Sequence, residues 1–163
     1  MLINQHYLPL SMANLKILNT REKKNILSIL KDQYGFDRKM DYVFFINKKN
    51  KIYIATPDIA KIDFDKLKVN SFGIYFGELY KESLRLSVEG SQLIGPYATK
   101  NVVELDESEI AEWVKGLDIP TTAQFNGFVV VKYKDDCFAC GKTKEGKLLN
   151  YLPKARSLKV VND

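Results

Sequence analysis

The chain has 163 residues, of which 45% are hydrophobic and 12% aromatic, a composition that fits one globular domain or two very small ones and excludes a disordered chain. It contains no apolar run of the roughly 20 residues that cross a membrane, and its first ten residues lack the apolar core of a signal peptide, so we expect a cytoplasmic protein without membrane contact. The net charge of +5 is compatible with a polyanionic partner and equally with an ordinary solvated surface.

The basic residues are unevenly distributed. Residues 1–83 contain 14 basic and 9 acidic residues, whereas residues 84–163 contain 11 of each. Within the second half, the segment from Gly127 onward has 8 basic and only 4 acidic residues. The last third is therefore a local basic segment, which is more informative about a binding surface than the total charge.

The first half of the sequence predicts one helix and three strands. Thr20 is the expected N-cap of a helix whose apolar residues follow helical spacing, and Gly35 is its expected end. Residues rich in β-branched and aromatic side chains then predict strands at 41–47, 51–56 and 71–80, with a hairpin loop at 48–50 and a short helical stretch from Pro57 to Ile62.

A new pattern begins near Leu84, where Leu86 and Val88 alternate with polar residues as in a half-buried strand. Asp106 and Glu109 form a capping-box pair at the start of a helix that contains Trp113. Around this helix we expect a turn-rich segment at 90–98 and strands at 102–105, 128–133, 137–142 and 148–152. The restart of the pattern predicts two units, residues 1–83 and residues 84–163.

The sequence contains no recognisable catalytic motif. It has no phosphate-binding glycine loop, no metalloprotease helix motif and no nucleophile elbow, and its single histidine, His6, lies near the N-terminus. Cys137 and Cys140 form one C-x-x-C pair, which is typical either of structural cysteines in a strand or of half a zinc or redox site. We expect structural cysteines and therefore no metal site at this pair. Because the catalytic and cofactor-binding motifs are missing, we also expect no catalytic residue and no cofactor.

The last third predicts a three-stranded meander with cations at its turns and rims. Lysine near phosphates and aromatic side chains near unstacked bases are the usual combination for RNA binding. The alternative is that these lysines protect strand edges from aggregation. The candidate RNA contacts are Lys132, Lys142, Lys144, Lys147, Asn150, Tyr151, Lys154 and Arg156.

The strings GFVVVKY and CGKTKEGKLLNYLPKAR resemble the PUA-like domain of Sun-type (5-methylcytosine) RNA methyltransferases. The resemblance extends over roughly residues 84–159, and the upstream SQLIGPYA (Ser91–Ala98) is similar to the turn after the first strand of PUA domains. Pro96-Tyr97 departs from the more usual Pro-Gly at that turn. The matching positions of the C-terminal motif are Gly127, Lys132, Gly141, Lys142, Gly146, Leu148, Asn150, Pro153, Lys154 and Arg156.

The resemblance implies an α+β chain, with a small N-terminal α/β domain followed by a PUA-like pseudo-barrel that binds structured RNA. In such enzymes a separate domain with catalytic cysteines transfers the methyl group, and residues 1–83 contain no cysteine. The expected function is non-catalytic binding of ribosomal or transfer RNA in RNA modification or ribosome assembly, with a methyltransferase or pre-ribosomal particle as a further partner. The alternatives are an adaptor for a partner methyltransferase and a small enzyme acting on RNA or nucleotides.

Asn150 has two interpretations, contact with RNA or fixation of the turn before Pro153.

Overall fold

The computed structural model describes residues 15–61 and 73–158. His6, Ile62 and the expected start of a strand at Ser71 lie outside this part of the chain. None of the described helices is long and apolar enough to span a bilayer.

The described residues form an α+β fold, as the sequence predicts. The strands are β1 (Leu15–Ile17), β2 (Val43–Asn47), β3 (Lys51–Ala55), β4 (Ile74–Tyr80), β5 (Ser83–Leu86), β6 (Val102–Glu104), β7 (Ile119–Pro120), β8 (Gly127–Tyr133), β9 (Asp136–Lys144) and β10 (Lys147–Asn150). The helices are α1 (Thr20–Tyr34), α2 (Val88–Ile94) and α3 (Glu107–Trp113), with short 3-10 helices η1 (Pro57–Lys61), η2 (Gly95–Tyr97) and η3 (Lys154–Arg156).

The strands form two sheets of five strands each. The first sheet is an antiparallel meander in the order β1-β2-β3-β4-β5. The second sheet has the order β6-β8-β9-β10-β7, curls as a half-barrel, and pairs β6 with β8 in parallel. The expected hairpins therefore form in both halves of the chain.

The N-cap of helix α1 lies one residue earlier than expected. Asn19 is the N-cap, because its side chain accepts a hydrogen bond from the Glu22 backbone N–H while the Glu22 carboxylate accepts one from the Asn19 N–H. Thr20 is the first helical residue, so its assignment as the cap was wrong. Gly35 ends the helix in a left-handed conformation, as expected. The buried Tyr34 hydroxyl donates a hydrogen bond to the Leu84 carbonyl, 2.6 Å away, and thereby fixes α1 to β5.

The segment after β5 is helical, which corrects two expectations. Val88 is not a strand residue, because the Ser87 side chain accepts a hydrogen bond from the Gly90 N–H, 2.9 Å away, and starts α2 there. The expected turn-rich segment at 90–98 is mostly helix α2 followed by η2. Strand β5 itself pairs with β4 and completes the first sheet. The position of the boundary between the two units stays a prediction.

Helix α2 is wedged between the two sheets. A Cβ atom at Gly90 would lie 2.1 Å from the Phe76 carbonyl oxygen on β4, and one at Gly95, directly after the helix, would lie 2.4 Å from Cys137 Sγ on β9. Only glycine permits both approaches. The helix thus holds the first sheet and the second sheet at a fixed separation.

The largest hydrophobic core contains residues of both sheets. Phe44, Ile52 and Leu84 of the first sheet lie in the same buried cluster as Val130 and Cys140 of the second. The opposite face of β8 contributes Val129 and Val131 to a second cluster with Trp113 of α3. Strand β8 is therefore buried on both faces, which explains its uninterrupted apolar sequence.

Candidate nucleic-acid interface

The expected lysines lie at both ends of the β8–β9 hairpin. Lys144 and Lys147 are exposed cross-strand neighbours at the β9–β10 turn. Lys132 lies opposite Cys137 near the other end of the hairpin, roughly 20 Å away at the rise of a strand. The structure therefore brings Lys144 and Lys147 together and separates them from Lys132.

Lys142 packs its side chain against an aromatic ring. It is the register partner of Phe128, and its Nζ lies 5.3 Å from the centre of the Phe128 ring. The side chain is half-buried against that aromatic surface. The cross-strand position places the lysine stem along the ring, and a phosphate contact by Lys142 stays a prediction.

Asn150 is held by the protein itself. Its Nδ2 donates to the carbonyls of Trp113 and Leu117, at 2.7 Å and 3.0 Å, and its Oδ1 accepts from the Leu152 N–H at 2.9 Å. The expected strand at 148–152 ends at Asn150, where these bonds turn the chain toward Pro153. The contacts support the structural interpretation, and an RNA contact by Asn150 stays a prediction.

Tyr151 belongs to a group of side chains that we call the arginine–tyrosine cluster. Arg85 of β5 lies at its centre, with its guanidinium carbon 5.3 Å from the Tyr151 ring and 5.8 Å from the Tyr80 ring. The Phe128 ring contacts both tyrosine rings, and its centroid lies 5.9 Å from that of Tyr151 and 5.3 Å from that of Tyr80. Tyr80 and Tyr151 are 39% and 36% exposed, so both residues are partly open to solvent. The full cluster comprises Tyr75, Tyr80, Arg85, Phe128 and Tyr151.

The strand register explains how β4 and β5 build their share of the cluster. Glu78 is directly opposite Arg85 and forms a salt bridge with it at 2.7 Å. Burial alone would lower the pKa of Arg85, but the interactions with the Tyr75 hydroxyl, Tyr80 and Glu78 raise it, so the guanidinium stays charged. Burial raises the pKa of both tyrosines, and their hydroxyls therefore stay protonated at neutral pH. The cluster combines a fixed cation with neutral aromatic faces.

A groove of about 630 Å³ lies beside this cluster, between the two sheets. Tyr75 and Arg85 line it from the first sheet, and Tyr151 and Arg156 line it from the second half of the chain. Arg156 donates a hydrogen bond to the Glu89 carboxylate across the groove. Two of the expected residues, Tyr151 and Arg156, therefore meet at one site.

Lys154, in η3, is exposed and close in sequence to the groove. Within the described part of the chain, no ion pair engages Lys144, Lys147 or Lys154. Lys132 and Lys142 also form no ion pair there but are half-buried, so Lys144, Lys147 and Lys154 are the candidate phosphate contacts most open to solvent.

Cys137 and Cys140 lie in strand β9, as expected of structural cysteines. Val131 pairs with Ala139 and Lys132 pairs with Cys137, so Phe138 is an extra, bulged residue. The bulge turns both cysteines toward the same core. Burial raises the pKa of Cys140 to about 12, which keeps the thiol protonated and unreactive. That the pair binds no metal stays a prediction.

Residues 100–157 match the family model described as the methyltransferase RsmF PUA domain. This segment is similar to the PUA domain that the model describes. The match confirms the resemblance carried by the C-terminal motif. The matched residues contain β6 to β10, with α3, and therefore Tyr151 and Arg156 but not Arg85.

Curated relatives extend the match beyond the PUA domain. A protein named ribosomal RNA small subunit methyltransferase F from Aeromonas salmonicida is 32% identical over 90 residues, which is 55% of this chain and 19% of that protein. The protein of the same name from Vibrio cholerae is 27% identical over 135 residues, which is 82% of this chain and 28% of that protein. The chain therefore spans between a fifth and a third of the length of these relatives, and the longer alignment reaches upstream of residue 84.

The sequence interpretation missed the residues of the first sheet that line the candidate site. Arg85 was assigned only a place in an alternating strand, and Tyr75 and Tyr80 only a place in an apolar strand. The alternation itself contains the signal, because Arg85 stands between Leu84 and Leu86 and so must lie on the face opposite the core. That this face meets Tyr151 depends on the packing of the two sheets, which no local pattern reveals.

Proposed function

We propose that this chain is a non-catalytic RNA-binding module that acts in ribosomal RNA modification. The observation that carries the proposal is the PUA domain at residues 100–157, whose known relatives are named as methyltransferases of ribosomal RNA. The arginine–tyrosine cluster and the uncompensated lysines supply the chemistry that RNA binding requires. Because those relatives are named for ribosomal RNA, the RNA that we propose for this chain is ribosomal rather than transfer RNA.

We expect two kinds of contact with the RNA, one with its phosphates and one with its bases. Lys144, Lys147 and Lys154 are exposed point charges that attract phosphates over a broad surface. The cluster offers aromatic and guanidinium faces, which bind bases without reading a long sequence. Affinity therefore comes mainly from the lysines, and positioning comes from the cluster.

A second candidate function is an adaptor that brings this RNA-binding module to a partner methyltransferase or pre-ribosomal particle. It is suggested by the names of the relatives, which are methyltransferases of small-subunit ribosomal RNA. The adaptor function is compatible with RNA binding. An apolar protein interface shows little dependence on salt, whereas phosphate contacts show a steep one.

The first test changes the three lysines together. We expect the Lys144→Ala, Lys147→Ala, Lys154→Ala triple variant to bind small-subunit ribosomal RNA fragments more weakly. The slope of log K against log salt should fall by about 2 to 3, at roughly 0.7–0.9 per phosphate contact. Fluorescence anisotropy over a salt series measures both quantities, and circular dichroism confirms that the variant folds.

The matched control removes three exposed lysines of the N-terminal half, Lys24, Lys48 and Lys49. We expect this control to retain the wild-type slope. If the control loses the salt dependence and the C-terminal triple variant keeps it, the RNA surface lies in the N-terminal half. If the wild-type chain binds no RNA fragment at low salt, the proposed function is wrong.

A further inference from the structure

The groove between the two sheets has the shape and lining of a site for one small planar group. Its volume of about 630 Å³ lies within the range of roughly 300–1,000 Å³ that is typical of small-ligand sites. It is lined by two tyrosines, Tyr75 and Tyr151, and by two arginines, Arg85 and Arg156, with Glu89 as an anion. The lining thus includes two aromatic rings and carries a net positive charge.

The aromatic surfaces of the groove are held in place. The Tyr151 ring stands edge-on against Phe128, which is 7% exposed, so that it cannot collapse inward. Tyr75 is half-buried, and its ring lies 5.5 Å from that of Tyr53 on the neighbouring strand. Arg85 is tied to Glu78 and is only 26% exposed, so its planar group is fixed as well. A ligand ring would therefore meet pre-formed faces.

We propose that this groove binds a single unpaired nucleotide of the RNA, with its base stacked on Tyr151 and Arg85 and its phosphate at Arg156. The inference rests on the proposed function and specifies the RNA structure that the site selects. Bases in a duplex hide their faces in the helical stack, whereas a bulged or looped base can enter a groove and stack on aromatic rings or guanidinium planes. The bidentate guanidinium of Arg156 matches a phosphate and would exchange Glu89 for it.

The site is composite, because the first sheet supplies part of it. Arg85 and Tyr75 lie outside residues 100–157, so the PUA domain by itself contains only one wall of the groove. Selection of an unpaired nucleotide therefore requires both sheets. Phosphate contacts by Lys144 and Lys147, at the far end of β10, do not require the first sheet.

The test compares two RNA probes with the full chain. One probe is a fully paired RNA hairpin, and the other is the same hairpin with a bulge of unpaired adenosines in its stem. We expect wild-type protein to bind the bulged hairpin more tightly. Tyr151→Ala should reduce that preference by between about 5-fold and 160-fold, the range expected for the loss of one base–aromatic stack. Tyr151→Phe, the matched control, keeps the ring and should keep the preference.

Arg85→Lys separates stacking from charge. The substitution retains the positive charge but removes the planar face, so the preference for the bulge should fall while the salt slope stays at the wild-type value. Equal wild-type affinity for both hairpins, or an undiminished preference in Tyr151→Ala, would overturn the nucleotide site and leave the proposed function intact. Absence of binding to either hairpin would overturn both.

Discussion

A single amide, that of Asn150, shows how a motif residue can serve the fold. Its two N–H groups and its oxygen are all engaged by backbone atoms, and its own N–H donates to the Asp118 carboxylate at 2.7 Å. These bonds join the end of β10 to the end of α3. They also set the direction in which the chain continues to Tyr151, so the residue orients the aromatic face without needing to touch RNA.

Replacement of Asn150 by alanine should therefore destabilise the protein. Three side-chain hydrogen bonds are lost and the carbonyls of Trp113 and Leu117 lose their partner, so we expect a decrease of about 2–3 kcal/mol in the free energy of unfolding. Urea unfolding followed by circular dichroism measures the change. Gln92→Ala, at an exposed position of α2, is the control and should change stability by less than about 0.5 kcal/mol. A similarly small effect of Asn150→Ala would show that these bonds contribute little.

At the scale of an element, strand β9 depends on its bulge. With regular alternation, residues three apart point to opposite faces, so Cys137 and Cys140 would be divided between the two cores. The extra residue Phe138 places both thiols in the core shared by the two sheets and turns its own ring toward the core of α3. The C-x-x-C spacing is in this structure a packing pattern.

Because the thiol of Cys140 is buried, we expect the free energy of unfolding to decrease as the pH rises above about 9. Its pKa is raised from the ordinary value of 9.0 to about 12, so the unfolded chain loses this proton first as the pH rises. The contribution is fully present below pH 9 and is lost between about pH 9 and 12, at roughly 1 kcal/mol per pH unit. Urea unfolding at a series of pH values gives the free energy of unfolding of wild type and of Cys140→Ala. Plotted against pH, the two free energies should converge over this range. Parallel curves would contradict the effect, since Tyr34, whose pKa is also raised by burial, is present in both proteins.

Some elements were predictable from local patterns and others were not. The capping box of Asp106 and Glu109, the hairpin of β2 and β3, and the strands of the last third all follow from residues that interact with their sequence neighbours. Helix α2 did not, because Gly90, Gly95 and Pro96 are typical of turns. Those glycines exist because the sheets approach the helix closely, which is tertiary information. The composite groove was hidden for the same reason.

At the scale of the molecule, the two sheets share one core. Side chains of α1, the first sheet and β8–β9 lie in a single buried cluster, and α2 contacts both sheets. Neither sheet could separate without exposing apolar surface on the other. The two units expected at residues 1–83 and 84–163 should therefore behave as one thermodynamic unit.

This arrangement predicts a single unfolding transition. Trp113, the single tryptophan of the sequence, is fully buried beside the second sheet, so its fluorescence reports on that half. Far-UV circular dichroism reports on both halves. We expect the two signals to change at the same urea concentration, and Val130→Ala to shift both midpoints equally. Two separate transitions would indicate independent domains.

The burial of β8 on both faces also has a consequence for synthesis of the chain. Ribosomes make the N-terminal sheet first, and domains generally fold as they emerge. Here the side chains that cover Phe44, Ile52 and Leu84 include Val130 and Cys140, which are translated long after those residues. The nascent chain must therefore carry an open apolar surface until the β8–β9 hairpin has left the exit tunnel, and a chain interrupted before that hairpin would be left with half of a core.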